Sequence, residues 1–447
     1  MSFAKDSYWM KSGIYTLLQR FSALIFGLGG FMMLVRILPK DQFGTLALFT
    51  TVIALVEVAR NGLVQNAQIK FAASAKEEEL PVILNSAFTL NVIITLASII
   101  ILIALAYPLS LIWSSPKIAT MFYISTVMNF GLIFFTQFNF IQQAKMDFRG
   151  IFFSSFIRQG SYFIIICIYF LAGAALSLEM LVIYQTLGVI LGALIGYTYV
   201  KGYYKPALLF HWEWVKKLFN YGKFVFGTNI SAMIFSSVDQ MILGAMLMPV
   251  QVAIYNTANR MNNIVDIPVA SVASIVFPKS AQRVEESGID SVVYLYERSV
   301  GLLLAILFPI VIGFIVLAKP VVSIIAGEQY LAAVPIMQLL MASAIVRPFL
   351  RQFGTALDSI GKPKINFRML IIISAVNIAA NYLCIFYFGT IGAAIGTSAA
   401  LLVFFISTQI ILKREINAKT LHTFVYMWDF YKKAFSLVIN KIKGPAH

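Results

Sequence analysis

Apolar runs of about 20 residues recur along the whole of this 447-residue chain, and each is long enough to cross a bilayer as a helix. Such runs exclude a β-barrel, whose strands would alternate over about ten residues. Charged residues make up only 12% of the chain and hydrophobic ones 60%; a soluble globular protein carries about twice that charged share. The sequence therefore predicts an all-α, polytopic membrane protein. Twelve spans are expected, near 12–38, 42–72, 82–107, 117–143, 148–173, 178–200, 214–247, 250–280, 291–318, 331–358, 363–388 and 390–413. Several exceed the bilayer's thickness and must tilt or protrude. No short apolar core with a cleavage site follows Lys5 and Lys11, so the first span is expected to direct insertion itself.

The net charge of +15 fits a topological signal better than nucleic-acid binding, and no nucleic acid is expected as a partner. With the N-terminus cytoplasmic, the inner connections hold Lys70, Lys76, Lys145, Arg149, Lys201, Lys205, Lys216, Lys217, Lys279, Arg283, Lys362, Lys364 and Arg368. The outer side holds only Arg36, Lys40, Lys117 and Lys319. This asymmetry predicts both termini inside and an even number of spans. The outer connections are too short for a catalytic domain, and no nucleophile–base spacing is visible, so an enzyme is not expected. Cys167 and Cys384 fall inside apolar segments and read as packing residues. His211, His422 and His447 lie outside the spans, and no metal site is expected. The tail mixes aromatics with lysines, which suits a helix on an anionic inner leaflet or a solvated segment.

The chain repeats itself. A slide of 209 residues lays "LVRILPKDQFGTLALF" at Leu34 on "LGAMLMPVQVAIYNTA" at Leu243, with Glu57 on Asp266. The acidic "EEE" after the second span falls beside "EES" after the eighth. A slide of 219 lays "DFRGIFF" at Asp147 on "NFRMLII" at Asn366, and Gly173 on Gly392. Six spans is an even number, so the two copies start on the same side, as a parallel repeat. The expected organisation is a lobe over 1–205, a second lobe over 206–415 and a basic amphipathic tail over 416–447, with a substrate path between the lobes.

Polar residues interrupt the apolar helices at helical spacing. Glu57, Arg60, Asn61 and Gln68 share one face of the second span. Asn256, Asn259, Arg260, Asn263 and Asp266 share one face of the eighth. Arg20 lies in the first span, Arg158 in the fifth, Asp239 in the seventh, and Arg347 and Arg351 in the tenth. An arginine facing hydrocarbon costs roughly 2.5–3.5 kcal/mol even on the lenient scale, so these stripes must face protein or water. Six deep arginines stand against three deep acids, Glu57, Asp239 and Asp266. Guanidinium stays charged when buried and grips phosphate with a planar fork of donors. The surplus predicts a hydrated cavity for an anion, with Arg20, Arg60, Arg158, Asn259, Arg260, Asn263, Arg347 and Arg351 as its candidate residues. The three acids are counter-ions to arginine or carriers of a coupling proton or sodium ion; no other cofactor is expected. Gly27 to Gly30, Pro268, Pro309 and Pro348 supply candidate bends.

"RILPKDQFGTLALF" after the first span and "VDQMILGAMLMPVQVAIYNTANRM" across the seventh and eighth resemble the polysaccharide transporter family. These are the O-antigen and capsule repeat-unit flippases of the multidrug/oligosaccharidyl-lipid/polysaccharide exporter superfamily. The resemblance implies twelve spans in two six-helix bundles. It also implies movement of an undecaprenyl-pyrophosphate-linked oligosaccharide from the cytoplasmic to the periplasmic leaflet. Membrane lipids, a polysaccharide polymerase and a chain-length regulator are the partners it suggests. The related lipid II flippases place essential arginines on their first, second and eighth helices, where Arg20, Arg60 and Arg260 stand here. The two extra C-terminal helices of those flippases are not expected, which points away from a peptidoglycan role. The alternatives are a multidrug or organic-cation antiporter of the same superfamily, and a transport-dead scaffold in polysaccharide assembly.

Overall fold

Helix after helix follows the apolar runs. The computed structural model describes residues 3–442 except 267, 270, 271, 274, 275 and 277–288. The elements are α1 (Phe3–Ile37), α2 (Lys40–Ala73), α3 (Leu80–Ile112), α4 (Pro116–Ala144), α5 (Phe148–Ala172) and α6 (Leu178–Val200). Then come α7 (Trp212–Met246), α8 (Pro249–Asn262), α9 (Ile289–Val316), α10 (Ala318–Ala326), α11 (Val334–Ala344), α12 (Arg347–Ser359), α13 (Pro363–Ile416) and α14 (Thr420–Ile442). No strand occurs among the described residues. The far end of the expected eighth span, with Lys279 and Arg283, lies outside the described residues, as do the "EES" turn, Lys443 and His447.

Nine segments among the described residues are long and apolar enough to cross a membrane: α1 to α6, α9, Glu328–Ser359 and α13. α13 runs 54 residues, but Gly389 breaks it with φ 60° and ψ −138°. Only a residue without Cβ takes that conformation cheaply. The break falls between the eleventh and twelfth expected spans, so α13 is two helices. With the more polar α7 and α8 the set is twelve. The tenth expected span, 331–358, differs: it is a 3-10 turn (Glu328–Ala333), then α11, then α12. Pro348 stands in the first turn of α12, where its missing N–H is harmless; deeper in a helix it would cost a hydrogen bond.

Local chemistry sets the other boundaries. Asp147 caps α5 by accepting from the Arg149 N–H at 3.2 Å. Ser177 caps α6 by accepting from the Met180 N–H at 3.2 Å. Gly173, at φ 62°, closes α5 in the left-handed region.

The chain divides into two units by packing. The first holds Met1–Ile234 and Leu247–Ala253; the second holds Phe235–Met246 and Ile254–His447. The division passes through α7 and α8. In the first unit α4 packs on α3, α6 and α2, and α5 packs on α6 and α1. α7 joins it closely: a Cβ at Gly222 would overlap the backbone of Leu63, and one at Gly62 would sit 3.0 Å from the Phe226 Cα.

The repeat is legible in the helix ends. α1 and α7 end 209 residues apart (37 and 246), and α2 and α8 begin 209 apart (40 and 249). α5 and α13 begin 215 apart (148 and 363), four short of the 219 slide of the letters.

In the second unit α9 packs on α14 and α12, and α12 on α13. The tail is thus an ordered helix. Both Glu297 carboxylate oxygens of α9 hold its start: Oε1 accepts from the Lys419 N–H at 2.8 Å, and Oε2 lies 3.2 Å from His422 Nδ1. Tyr431 Oη donates to the Ala305 carbonyl at 2.8 Å. Gly301 admits the close approach, since a Cβ there would lie 2.6 Å from that of Tyr426. Leu421, Val425 and Trp428 remain exposed on the opposite face.

Candidate functional site

α1, α2, α4 and α5 of the first unit enclose a polar cavity of about 420 Å³. α1 contributes Thr16, Gln19 and Arg20; α2 contributes Glu57, Arg60, Asn61 and Gln65. Asn139 and Gln143 come from α4, and Ser155, Arg158 and Gln159 from α5. Each helix presents these groups at three- or four-residue steps, which is one face of a helix. Four sequence candidates, Arg20, Glu57, Arg60 and Arg158, therefore share one cavity wall.

The ion pair in that wall crosses helices. Arg158 Nη2 donates to Glu57 Oε1 at 3.1 Å, with the two side chains 29% and 26% exposed. Sequence spacing had set Glu57 beside Arg60, one turn away on α2; the structure gives the carboxylate to α5. Arg158 is held from two further sides. Its guanidinium carbon lies 4.8 Å from the Phe135 ring centroid, a cation–π arrangement. Behind it α6 offers glycines: a Cβ at Gly192 would lie 2.9 Å from the Arg158 Cβ, and one at Gly188 2.6 Å from the Arg158 carbonyl oxygen.

Arg60 is different. It is 1% exposed, and its Nε, Nη1 and Nη2 have no hydrogen-bond partner. A buried ion normally costs several kcal/mol unless paired. Here two buried or half-buried arginines face one carboxylate, and Arg20 adds a third cation at the exposed rim. The cavity wall is electropositive and rich in donors.

The neutral groups are mutually braced. Gln19 Nε2 donates to Ser155 Oγ at 3.1 Å, and Gln65 Nε2 to Gln143 Oε1 at 3.1 Å. Ser154 Oγ donates to Asn139 Oδ1 at 2.8 Å. Gln19, Gln65, Asn139 and Gln143 were not singled out from the sequence. The signal was present: Asn139 and Gln143 are i, i+4 inside an apolar helix. The Asn61 Oδ1 is also buried without a partner. Gln68, on the same face of α2, is fully buried with both amide atoms unpartnered and does not line the cavity.

The remaining candidates belong to the second unit. Arg347 Nη1 donates to Asp266 Oδ2 at 2.9 Å and to the Asn262 carbonyl at 3.4 Å. Among the arginines that the acids could serve as counter-ions, α12 brings Arg347 to Asp266. Asp239 is buried. It accepts from the Tyr255 hydroxyl and from the Gln240 N–H at 2.7 Å. Gln240 Oε1 in turn accepts from Asn256 Nδ2 at 2.7 Å. Arg260, Asn263 and Arg351 are exposed, and Asn259 is half-buried. No group of three or more potential metal ligands occurs among the described residues.

Comparison with known proteins gives consistent findings. Residues 33–335 match a family model described as "Polysaccharide biosynthesis protein". The chain is 27% identical over 186 residues to the "Probable low-salt glycan biosynthesis flippase Agl15" of Haloferax volcanii, covering 41% of this chain and 39% of that protein. It spans 39–43% of the length of the three curated relatives that it matches first. In fold it is similar to "Lipid II flippase MurJ, inward closed conformation", with a TM-score of 0.77 at 15% identity, over 95% of this chain and 92% of that one. It is also similar to an inward-facing multidrug resistance MATE transporter of the MOP superfamily, with a TM-score of 0.72 at 14% identity, over 88% and 95%. These two likenesses show the fold alone.

Proposed function

The chain belongs to the polysaccharide biosynthesis protein family, and from that membership we propose that it is a flippase for an undecaprenyl-pyrophosphate-linked oligosaccharide repeat unit. It carries the lipid-linked sugar from the cytoplasmic to the periplasmic leaflet of a bacterial cytoplasmic membrane by alternating access, and it breaks no covalent bond. Both termini are cytoplasmic. The observation that carries this reading is the buried, unpartnered guanidinium of Arg60 beside the half-occupied Arg158, in a cavity walled by amides and hydroxyls. Guanidinium forks suit phosphoryl oxygens, and the amides suit sugar hydroxyls. Arg260, Arg347 and Arg351, with Asn259 and Asn263, are the proposed substrate-binding residues of the second unit. A polysaccharide polymerase and a chain-length regulator are the proposed partners.

Among the three acids, Glu57 and Asp266 are each paired with an arginine, whereas neutral donors hold Asp239. Asp239 is therefore the proposed seat of a coupling proton or sodium ion. An organic-cation antiporter would share the fold, yet the wall of the first unit's cavity carries more arginine than acid, the wrong sign for a cation.

Vesicles containing the protein and a fluorescent lipid-linked oligosaccharide test the reading. Wild-type protein moves the label between leaflets. Arg60→Lys, which keeps the charge but loses the fork, lowers the rate by about tenfold or more, the scale of one lost charge-assisted bond. Absence of movement with the wild type, or an undiminished rate in the variant, counts against it.

A further inference from the structure

The cavity holds its own competitor. Glu57 occupies Arg158 at 3.1 Å while Arg60, one turn further along α2, has none of its nitrogens engaged. A pyrophosphate esterified at both ends carries one negative charge per phosphorus. Two guanidinium groups neutralise it only when neither is spent on a carboxylate. Arg20 sits at the exposed rim of the cavity.

Resting on the flippase reading above, we propose that Glu57 is an exchangeable internal counter-ion. The incoming anion takes Arg158 from Glu57, and Glu57 takes it back to expel the anion. Three features make the exchange cheap. The Glu57–Arg158 contact is a single hydrogen bond rather than a fork. Both partners are about one quarter exposed, so each keeps water while it changes hands. Arg158 is fixed independently of Glu57 by the Phe135 ring and by the glycine-lined α6 surface. Its guanidinium therefore stays in place when the carboxylate swings away, and the neighbouring amide of Gln65 is already committed to Gln143. Glu57 thereby limits how tightly the headgroup binds, which a carrier needs in order to release it. The acid is a positioning and specificity residue, favouring doubly charged headgroups over singly charged ones.

The test uses purified full-length protein and inorganic pyrophosphate, with titration calorimetry and thermal melting as readouts, and then the vesicle assay. Glu57→Gln keeps the shape and removes the charge. Its pyrophosphate affinity is expected to rise by about tenfold or more, because a unit charge a few ångströms away no longer repels the ligand. In vesicles the same variant lowers both KM and the maximal rate, a split that a loss of stability alone does not produce. Arg158→Gln serves as the second variant, with weaker binding and no further gain when combined with Glu57→Gln. If wild-type protein binds pyrophosphate and Glu57→Gln binds it equally or more weakly, the counter-ion exchange is overturned while the headgroup site stands. If wild-type protein binds none and Arg60→Lys is indistinguishable from it, the headgroup site fails, and the exchange with it.

Discussion

Two arginines in one wall illustrate how little a residue's type fixes its behaviour. Arg158 rests on an aromatic face, touches a carboxylate and is partly exposed; Arg60, on α2, is buried and without a hydrogen-bond partner. The sequence showed both as intramembrane cations, and the surplus of arginine over acid was legible from a count. The pairing was not. Glu57 and Arg60 are i, i+3, the spacing of a same-helix pair, while the observed partner comes from 101 residues away. Tertiary packing decided it, by setting Arg158 of α5 and Glu57 of α2 on the wall of one cavity. Removing the ring beneath Arg158 tests this level: Phe135→Leu is expected to weaken pyrophosphate binding about threefold, the worth of a partly exposed cation–π contact, with little change in melting temperature. Calorimetry on the variant reads it directly.

Elements were legible where their ends carry chemistry. The glycine between the last two spans marks its break, and the cap residues of α5 and α6 mark theirs. In the tenth span Pro348 was a candidate bend, and the helix is interrupted just before it, between α11 and α12. The tail was read as amphipathic, which its outward Leu421, Val425 and Trp428 support, but the same pattern serves a helix docked on protein or on lipid. What decides is Gly301 on α9, whose bare surface receives it. Two outcomes follow at this scale. Glu297→Ala removes both anchors at the start of α14 and is expected to destabilise the second unit by about 1–3 kcal/mol, read as faster proteolysis within 420–442. Gly389→Ala forces a Cβ into a conformation with positive φ and is expected to cost about 1–2 kcal/mol, read as a lower melting temperature.

At the scale of the whole chain, the charge asymmetry and the repeated 209-residue displacement make a definite proposal: two similar inserts of six helices, each starting on the same side. Reporter fusions check the orientation. An alkaline phosphatase fused in the connection at Ser114 is expected to be active and one at Lys205 inactive, and the reverse pattern overturns the assigned topology. One practical consequence reaches beyond transport itself. A protein that keeps a bare cation sealed in its wall is least stable when empty, so any small oxyanion in the storage buffer will act as a stabiliser. At a hundredfold over its dissociation constant such an ion adds about 2.7 kcal/mol. Preparations in phosphate should outlast those in amine buffers, and they should flip lipid more slowly, because the preservative and the cargo contend for the same berth.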